Sequence, residues 1–279
     1  MSSHYLSINI TPRLNLAVFE AIVFGDTTQM EGLDVSFLNP IIFYRPVEFA
    51  VGSFNGNALL GGALSYKTFE KQQAYAQFVL DEFQLSSILA QEGSWVNKYA
   101  WQFGYKMYDA WGVKGLFQRL EYNAARPYTF SHREVLTNYA HYGSPLGHPW
   151  GANFHEFIFH TLWQGKRWGM SAQFNFGRTG ADRRGENWGS DIYLPYETRE
   201  QDLGNNFAQG VSGNYFFAQL GGSYLINPSS GLRFELGYRY RNFRPDEAIS
   251  GNTTPMLNQE SALFFLGLRT DLFNQYYDL

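Results

Sequence analysis

From Leu232 to Tyr240 every second residue is large and apolar. Leu232, Phe234, Leu236, Tyr238 and Tyr240 fall on one side, and Arg233, Glu235, Gly237, Arg239 and Arg241 fall on the other. Side chains of a strand alternate with a period of two, so this segment predicts a strand with one apolar and one polar face. The alternation recurs. Tyr99, Trp101, Phe103, Tyr105 and Met107 oppose Lys98, Gln102, Gly104 and Lys106; Trp168, Met170, Ala172, Phe174 and Phe176 oppose Gly169, Ser171, Gln173, Asn175 and Gly177. Phe264, Leu266 and Leu268 oppose Gly267, Arg269 and Asp271. Aromatic residues on one face and charges on the other, repeated from end to end, are the pattern of a barrel that faces lipid. A soluble sandwich would need a partner layer to cover these apolar faces, and no segment supplies one.

Eleven strands are predicted, at 4–11, 15–24, 57–66, 72–83, 97–108, 112–124, 152–164, 167–178, 212–226, 231–243 and 259–272. Their connections alternate between short (12–14, 67–71, 109–111, 165–166, 227–230) and long (25–56, 84–96, 125–151, 179–211, 244–258). Outer-membrane barrels have short periplasmic turns and long outer loops, which orients the predicted barrel. Tyr108, Trp111, Trp163 and Trp168 flank short turns, where an aromatic girdle is expected. Segment 33–50 is apolar but broken by Pro40 and Pro46, which suits a loop folded into the lumen. Segment 84–92 has helical spacing and predicts a short cap helix.

Composition agrees. The 279 residues have a mean hydropathy of −0.32, and 18% are aromatic. A helical membrane protein would carry apolar runs of about 18 residues or more, and none is present. A barrel averages out to a soluble-looking composition because its two faces cancel. The chain has no cysteine, which excludes disulfides and thiolate metal sites, and its net charge of −4 gives no case for nucleic acid. Met1-Ser-Ser-His-Tyr5 runs straight into alternation without a signal peptide. Single-chain bacterial barrels have even strand numbers. The expectation is therefore one barrel domain over 1–279, incomplete on its N-terminal side, whose first and last strands need closure.

The densest polar segment is Arg126-Pro-Tyr-Thr-Phe-Ser-His-Arg133 with Asn138-Tyr-Ala-His-Tyr142 and His148. Pro127, Pro145 and Pro149 stiffen it. Arg126, Tyr128, His132, Arg133, Asn138, Tyr139, His141, Tyr142 and His148 are expected to form one polar cluster at the outer mouth. Arginine forks match carboxylates, and Tyr and His rings stack on sugar faces, which suits an anionic polysaccharide or glycolipid. The competing reading is a loop that braces the barrel.

These motifs, with Pro145-Leu-Gly-His-Pro-Trp-Gly-Ala-Asn-Phe-His-Glu156 and the ending Gly267-Leu-Arg-Thr-Asp-Leu-Phe-Asn-Gln-Tyr-Tyr-Asp-Leu279, resemble the capsule-assembly Wzi-like family of outer-membrane proteins. The nearer resemblance is to members of the RemB type, associated with gliding motility. It covers the whole chain but only the C-terminal half to two-thirds of a family member. It implies a non-catalytic outer-membrane barrel that assists assembly or retention of surface polysaccharide. Lipid, polysaccharide and other cell-surface or motility proteins would be its partners, and no cofactor is implied.

Three other chemistries have candidate residues in the chain. His141 and Ser144, with Asn153 and Glu156, would suit an acyl hydrolase, but sequence proximity places no base on a nucleophile. Asp182, Glu186, Asn187 and Asp191 could offer oxygen ligands to calcium, yet their spacing fits no EF-hand loop and Arg183 and Arg184 intervene. His155 and His160 lie on opposite faces of one strand and cannot share a ligand. The predicted lumen charges are Lys98, Lys106, Arg119, Glu121, Glu156, His160, Arg233, Glu235, Arg239, Arg241, Arg269 and Asp271. They mix both signs, which favours a braced or binding barrel over the alternative of a channel with single-sign rings.

Overall fold

Eleven long strands form one antiparallel sheet in the computed structural model, which describes residues 1–24, 56–246 and 259–270. They are β1 (Ser2–Asn9), β2 (Leu14–Phe24), β3 (Gly56–Phe69), β4 (Gln72–Glu82), β5 (Lys98–Tyr108), β6 (Leu116–Ala125), β9 (Phe154–Gln164), β10 (Trp168–Thr179), β11 (Gly213–Asn227), β12 (Leu232–Pro245) and β13 (Gln259–Arg269). Each strand pairs with its neighbours in sequence, because tight turns or returning loops leave it antiparallel to the strand before. All eleven predicted strands occur, with ends moved by a few residues. The sixth starts four residues later than predicted, because Trp111 takes a left-handed conformation (φ 58°) in a one-turn 3-10 helix, Ala110–Gly112. Two features differ from expectation. The cap helix is only Leu85–Leu89, and a ribbon of β7 (Ala140–His141) and β8 (Ser144–Pro145) interrupts the loop after β6.

Register fixes which residues share a face. Tyr75, Gly104 and Glu121 lie side by side, as do Gln77, Gln102, Asn123 and Glu156, and Arg239 lies beside Gln219. This polar set is the inner face. The opposite face carries Phe78, Phe103, Leu120, Phe157, Phe176, Leu236 and Leu266, all exposed, with Leu266 at 79% and Phe264 also at 79%. A water-facing sheet would not keep so continuous an apolar band. At the turn end Tyr108 packs on Phe117 and Trp168 on Tyr224, while Trp111 is 80% exposed. Asp109 organises one turn by accepting from the Gly115 N–H (2.7 Å) and from Lys71 (2.7 Å).

No second sheet covers the inner face among the described residues. The buried core of Leu59, Ala125, Phe130, Ala152, Phe154 and Ile192 forms where two long loops fold down onto that face at its loop end. β1 and β13 terminate the sheet, and neither has a second strand partner among the described residues. Segment 33–50 and residues 271–279 lie outside the described residues.

Candidate functional site

Three connections meet at the loop end: residues 83–97, 126–153 and 180–212. Their meeting point is Lys98, the first residue of β5, which has no solvent exposure. Its Nζ lies 3.2 Å from Glu82 and 3.5 Å from Asp81, donates to the Ser131 carbonyl (3.2 Å) and sits 4.4 Å from the Tyr196 ring centroid. One buried cation thus ties β4, β5 and two loops together. Asp81 also accepts from the Phe130 N–H (2.8 Å). A fully buried ammonium persists only with such compensation.

Arg126 closes a second junction. Its Nη2 donates to the carbonyls of Ser94 (3.3 Å) and Asn205 (3.2 Å), one from each flanking loop, and its guanidinium lies 5.4 Å from the Tyr99 ring. Buried amides complete the lock. Asn153 exchanges two hydrogen bonds with the backbone of Gln209 (both 2.9 Å). Asn187 bonds the Pro195 carbonyl and the Thr198 hydroxyl (both 2.9 Å). The backbones of Gly93 and Asn205 pair directly (2.8 Å). Tyr128, Phe130, Asn153 and Ala208 all have positive φ, a conformation non-glycine residues adopt only when surroundings enforce it. Gly189 (φ 83°) passes so close that a Cβ would lie 2.4 Å from the Tyr128 nitrogen.

The predicted site residues divide into three groups. Arg126, Tyr128, His132 and Asn138 point into the lock. Tyr128 donates to the Asn187 carbonyl (2.8 Å), and its burial raises the phenol pKa. His132 bonds Thr137 (2.6 Å) and meets the Tyr196 ring edge-on; burial, then the charges of Lys98 and Arg133, depress its pKa to about 4. Burial, followed by nearby carboxylates, raises Tyr196 to about 12. Asn138 donates to the Ile192 carbonyl (3.3 Å). Tyr139 packs on Phe130, and His148 turns inward to Glu156 (2.8 Å) while stacking on Phe154. Arg133, His141 and Tyr142 face solvent. Arg133 pairs with the exposed Glu197 (3.1 Å), and Tyr142, 94% exposed, carries the His141 ring 4.2 Å away.

The other candidate chemistries find different neighbours. His141 and Ser144 pair in the β7–β8 ribbon, but Asn153 is held by Gln209 and Glu156 by His148 and Asn123. Neither orients His141. Asp182 accepts from the backbone of Trp188 (2.6 Å) and Asp191 (3.2 Å), Glu186 accepts from the Trp188 indole (2.7 Å), and Asp191 accepts from the Tyr193 N–H (2.8 Å). These carboxylates shape the loop, and among the described residues no three acidic, His or Cys groups are placed to hold a metal. Sequence reasoning passed over Asn123, whose amide donates to Glu121 and Glu156, Asn205, whose amide donates to the Gly93 carbonyl, and Gln209, whose amide donates to the Trp188 carbonyl. The lumen charges mix signs strand by strand: Arg119 and Glu121 share β6, and Glu235 lies among Arg233, Arg239 and Arg241 on β12.

A strip of eleven meandering strands, polar within and capped by long loops, has a solved counterpart. This chain has the fold of Wzi. Wzi is an outer-membrane protein involved in group 1 capsule assembly in Escherichia coli, described as a carbohydrate-binding β-barrel. The TM-score is 0.56 at 14% sequence identity, over 88% of this chain and 48% of the Wzi chain. The chain thus spans about half the length of Wzi. No protein-family model matches the sequence, and no curated protein matches it.

Proposed function

We propose that this protein is a non-catalytic outer-membrane barrel that binds surface polysaccharide and assists its assembly or retention as capsule. The observation that carries the reading is the loop lock: it turns the loop end into a rigid surface from which Arg133, His141 and Tyr142 project, with the rest of the predicted cluster holding them in place. Rigid presentation lowers the entropy lost when a polymer binds. The exposed apolar band fits lipid, and the likeness in fold to Wzi and the loop motifs point the same way. The link to gliding motility and to RemB-type proteins rests on the motifs alone. Residues 1–279 act as one barrel domain, and in lipid the edges of β1 and β13 must be paired, because unpaired backbone is unstable there.

Cells that carry the Arg133→Ala/Tyr142→Ala variant should shed polysaccharide into the medium while the barrel still inserts. Retention equal to wild type would remove this surface from the reading. Steady single-channel conductance in a planar bilayer, without glycan binding, would favour the channel instead.

A further inference from the structure

The apolar wall of the sheet carries two arginines, and both lie in one row at its loop end. Arg178 of β10 stands opposite His155 of β9 and Asn214 of β11, and Asn214 stands opposite Arg244 of β12. Two positions nearer the short turns, the next row on the same face is Phe157, Phe176, Phe216 and Asn242. The other lysines and arginines of the described strands take the inner register. A charge on a lipid-facing wall is costly at the bilayer midplane and nearly free at its interface. This row therefore marks the level at which acyl chains give way to headgroups.

A shallow groove of about 540 Å³ is lined by both rows. Its floor is aromatic: Phe157 stacks on Phe176 with ring centroids 5.2 Å apart, and Phe157, Phe176 and Phe216 are all exposed. The polar row above is only partly satisfied. Arg178 bonds Asp246 and donates to the Asn214 side-chain oxygen (3.3 Å). Asn242 donates to the Tyr240 hydroxyl (3.1 Å), which donates in turn to Glu260 (2.9 Å). Both nearby carboxylates are thus engaged by other groups. Arg244 is exposed, and its guanidinium has no hydrogen bond or ion pair among the described residues.

Charge complementarity names the occupant. An arginine on a lipid-facing wall that lacks a protein counter-ion takes one from a lipid headgroup. Guanidinium forks match phosphate oxygens, and a phosphate monoester carries close to two negative charges, enough for two arginines. β10 and β12 lie two strand spacings apart, about 10 Å, a span that two arginine side chains can close over Asn214. We propose that this groove binds a lipid of the surrounding leaflet whose headgroup carries a phosphate monoester. The phosphate sits between Arg178 and Arg244, and the acyl chains lie on Phe157, Phe176 and Phe216. The site rests on the reading of the chain as an outer-membrane barrel and is independent of polysaccharide binding at the mouth.

The test is native mass spectrometry of the full chain, reconstituted in vesicles and released in mild detergent. The probes are diphosphoryl lipid A, the same lipid stripped of its phosphates, and phosphatidylethanolamine. One molecule of diphosphoryl lipid A should stay bound at concentrations where the other two do not. Arg178→Gln/Arg244→Gln should weaken its retention about thirty-fold, and Arg244→Gln alone about five-fold. The single variant breaks no contact among the described residues, so it decides the matter if the double variant fails to fold. Equal retention of the phosphate-free lipid overturns the proposal, as does full retention by folded Arg244→Gln. Displacement of the lipid by millimolar inorganic phosphate would show a site for the free ion and overturns it too. A chain that never enters vesicles refutes the barrel reading and this site with it; one that enters but retains no lipid A refutes this site alone. Arg133→Ala/Tyr142→Ala should leave lipid retention intact, which separates this wall from the mouth.

Discussion

Tyr75 lies flat over Gly104 and donates to Glu121, two strands away. Side chains in a sheet ordinarily meet only their immediate cross-strand neighbours. Here β5 offers no Cβ at the crossing point, so β4 and β6 bond over its back. The bond also completes a polar run from Tyr75 through Glu121, Asn123 and Glu156 to His148, which joins the sheet interior to the loop above.

A Cβ at position 104 would lie 2.0 Å from the Tyr75 ring. Gly104→Val should displace the ring from Glu121 and lower stability by about 1–3 kcal/mol. Tyr75→Phe, which leaves that Glu121 oxygen with only Arg119 at 3.9 Å, should lose about 1–3 kcal/mol as well. Thermal unfolding of the detergent-solubilised protein measures both. Because they remove the same contact, the double variant should lose less than their sum.

Lys98→Met leaves Asp81 and Glu82 without their shared cation. The expected loss is about 3–5 kcal/mol, with rapid proteolysis of residues 126–153. Adding Asp81→Asn should restore part of the protection. If Lys98→Met alone resists protease as wild type does, Lys98 does not hold the loops.

His132 supplies a pH dependence of definite sign. Its folded pKa is depressed to about 4 against an ordinary value of 6.5. Between these values the unfolded loop binds the proton and the folded loop does not, so stability rises with pH through that window. Loop protection against protease should be full above about pH 6.5 and fall progressively toward pH 4. His132→Gln should flatten the dependence; an unchanged profile would assign it to another group.

Arg126 and Arg133 should respond in opposite ways. Arg126→Ala removes the donor to both flanking loops and should lower stability by about 2–4 kcal/mol. Arg133 and Glu197 form an exposed pair of the kind worth little. Arg133→Ala should leave the melting temperature unchanged and reduce binding of an acidic polysaccharide, measured by co-sedimentation.

The strands were legible because a two-sided sheet writes its period directly into the chain. Leu232–Tyr240 could be assigned from alternation alone. Loops carry no such period. Arg126, beside Pro127 and Tyr128, reads as a ligand-binding side chain, and its bonds to Ser94 and Asn205, 32 and 79 positions away, mark it as a brace. The bracing roles of Asn153, Asn187 and Gln209 are equally silent in the sequence, since Asn153 bonds the backbone of Gln209, 56 positions away, and Asn187 and Gln209 bond the Pro195 and Trp188 carbonyls within their own loop. Their proximity to glycines with positive φ, such as Gly151, Gly189 and Gly210, was the one local sign of tight packing.

The lock also determines how the molecule would carry a load. A polymer pulling on Tyr142 pulls on the loop after β6, and that tension passes through Arg126 to residues 94 and 205 and through Asn153 to Gln209. The force is therefore shared among the hairpins that bear three connections, in place of peeling one strand from the sheet. Many short hydrogen bonds loaded in parallel yield later than the same bonds broken in turn, so this cap has the build of a mooring.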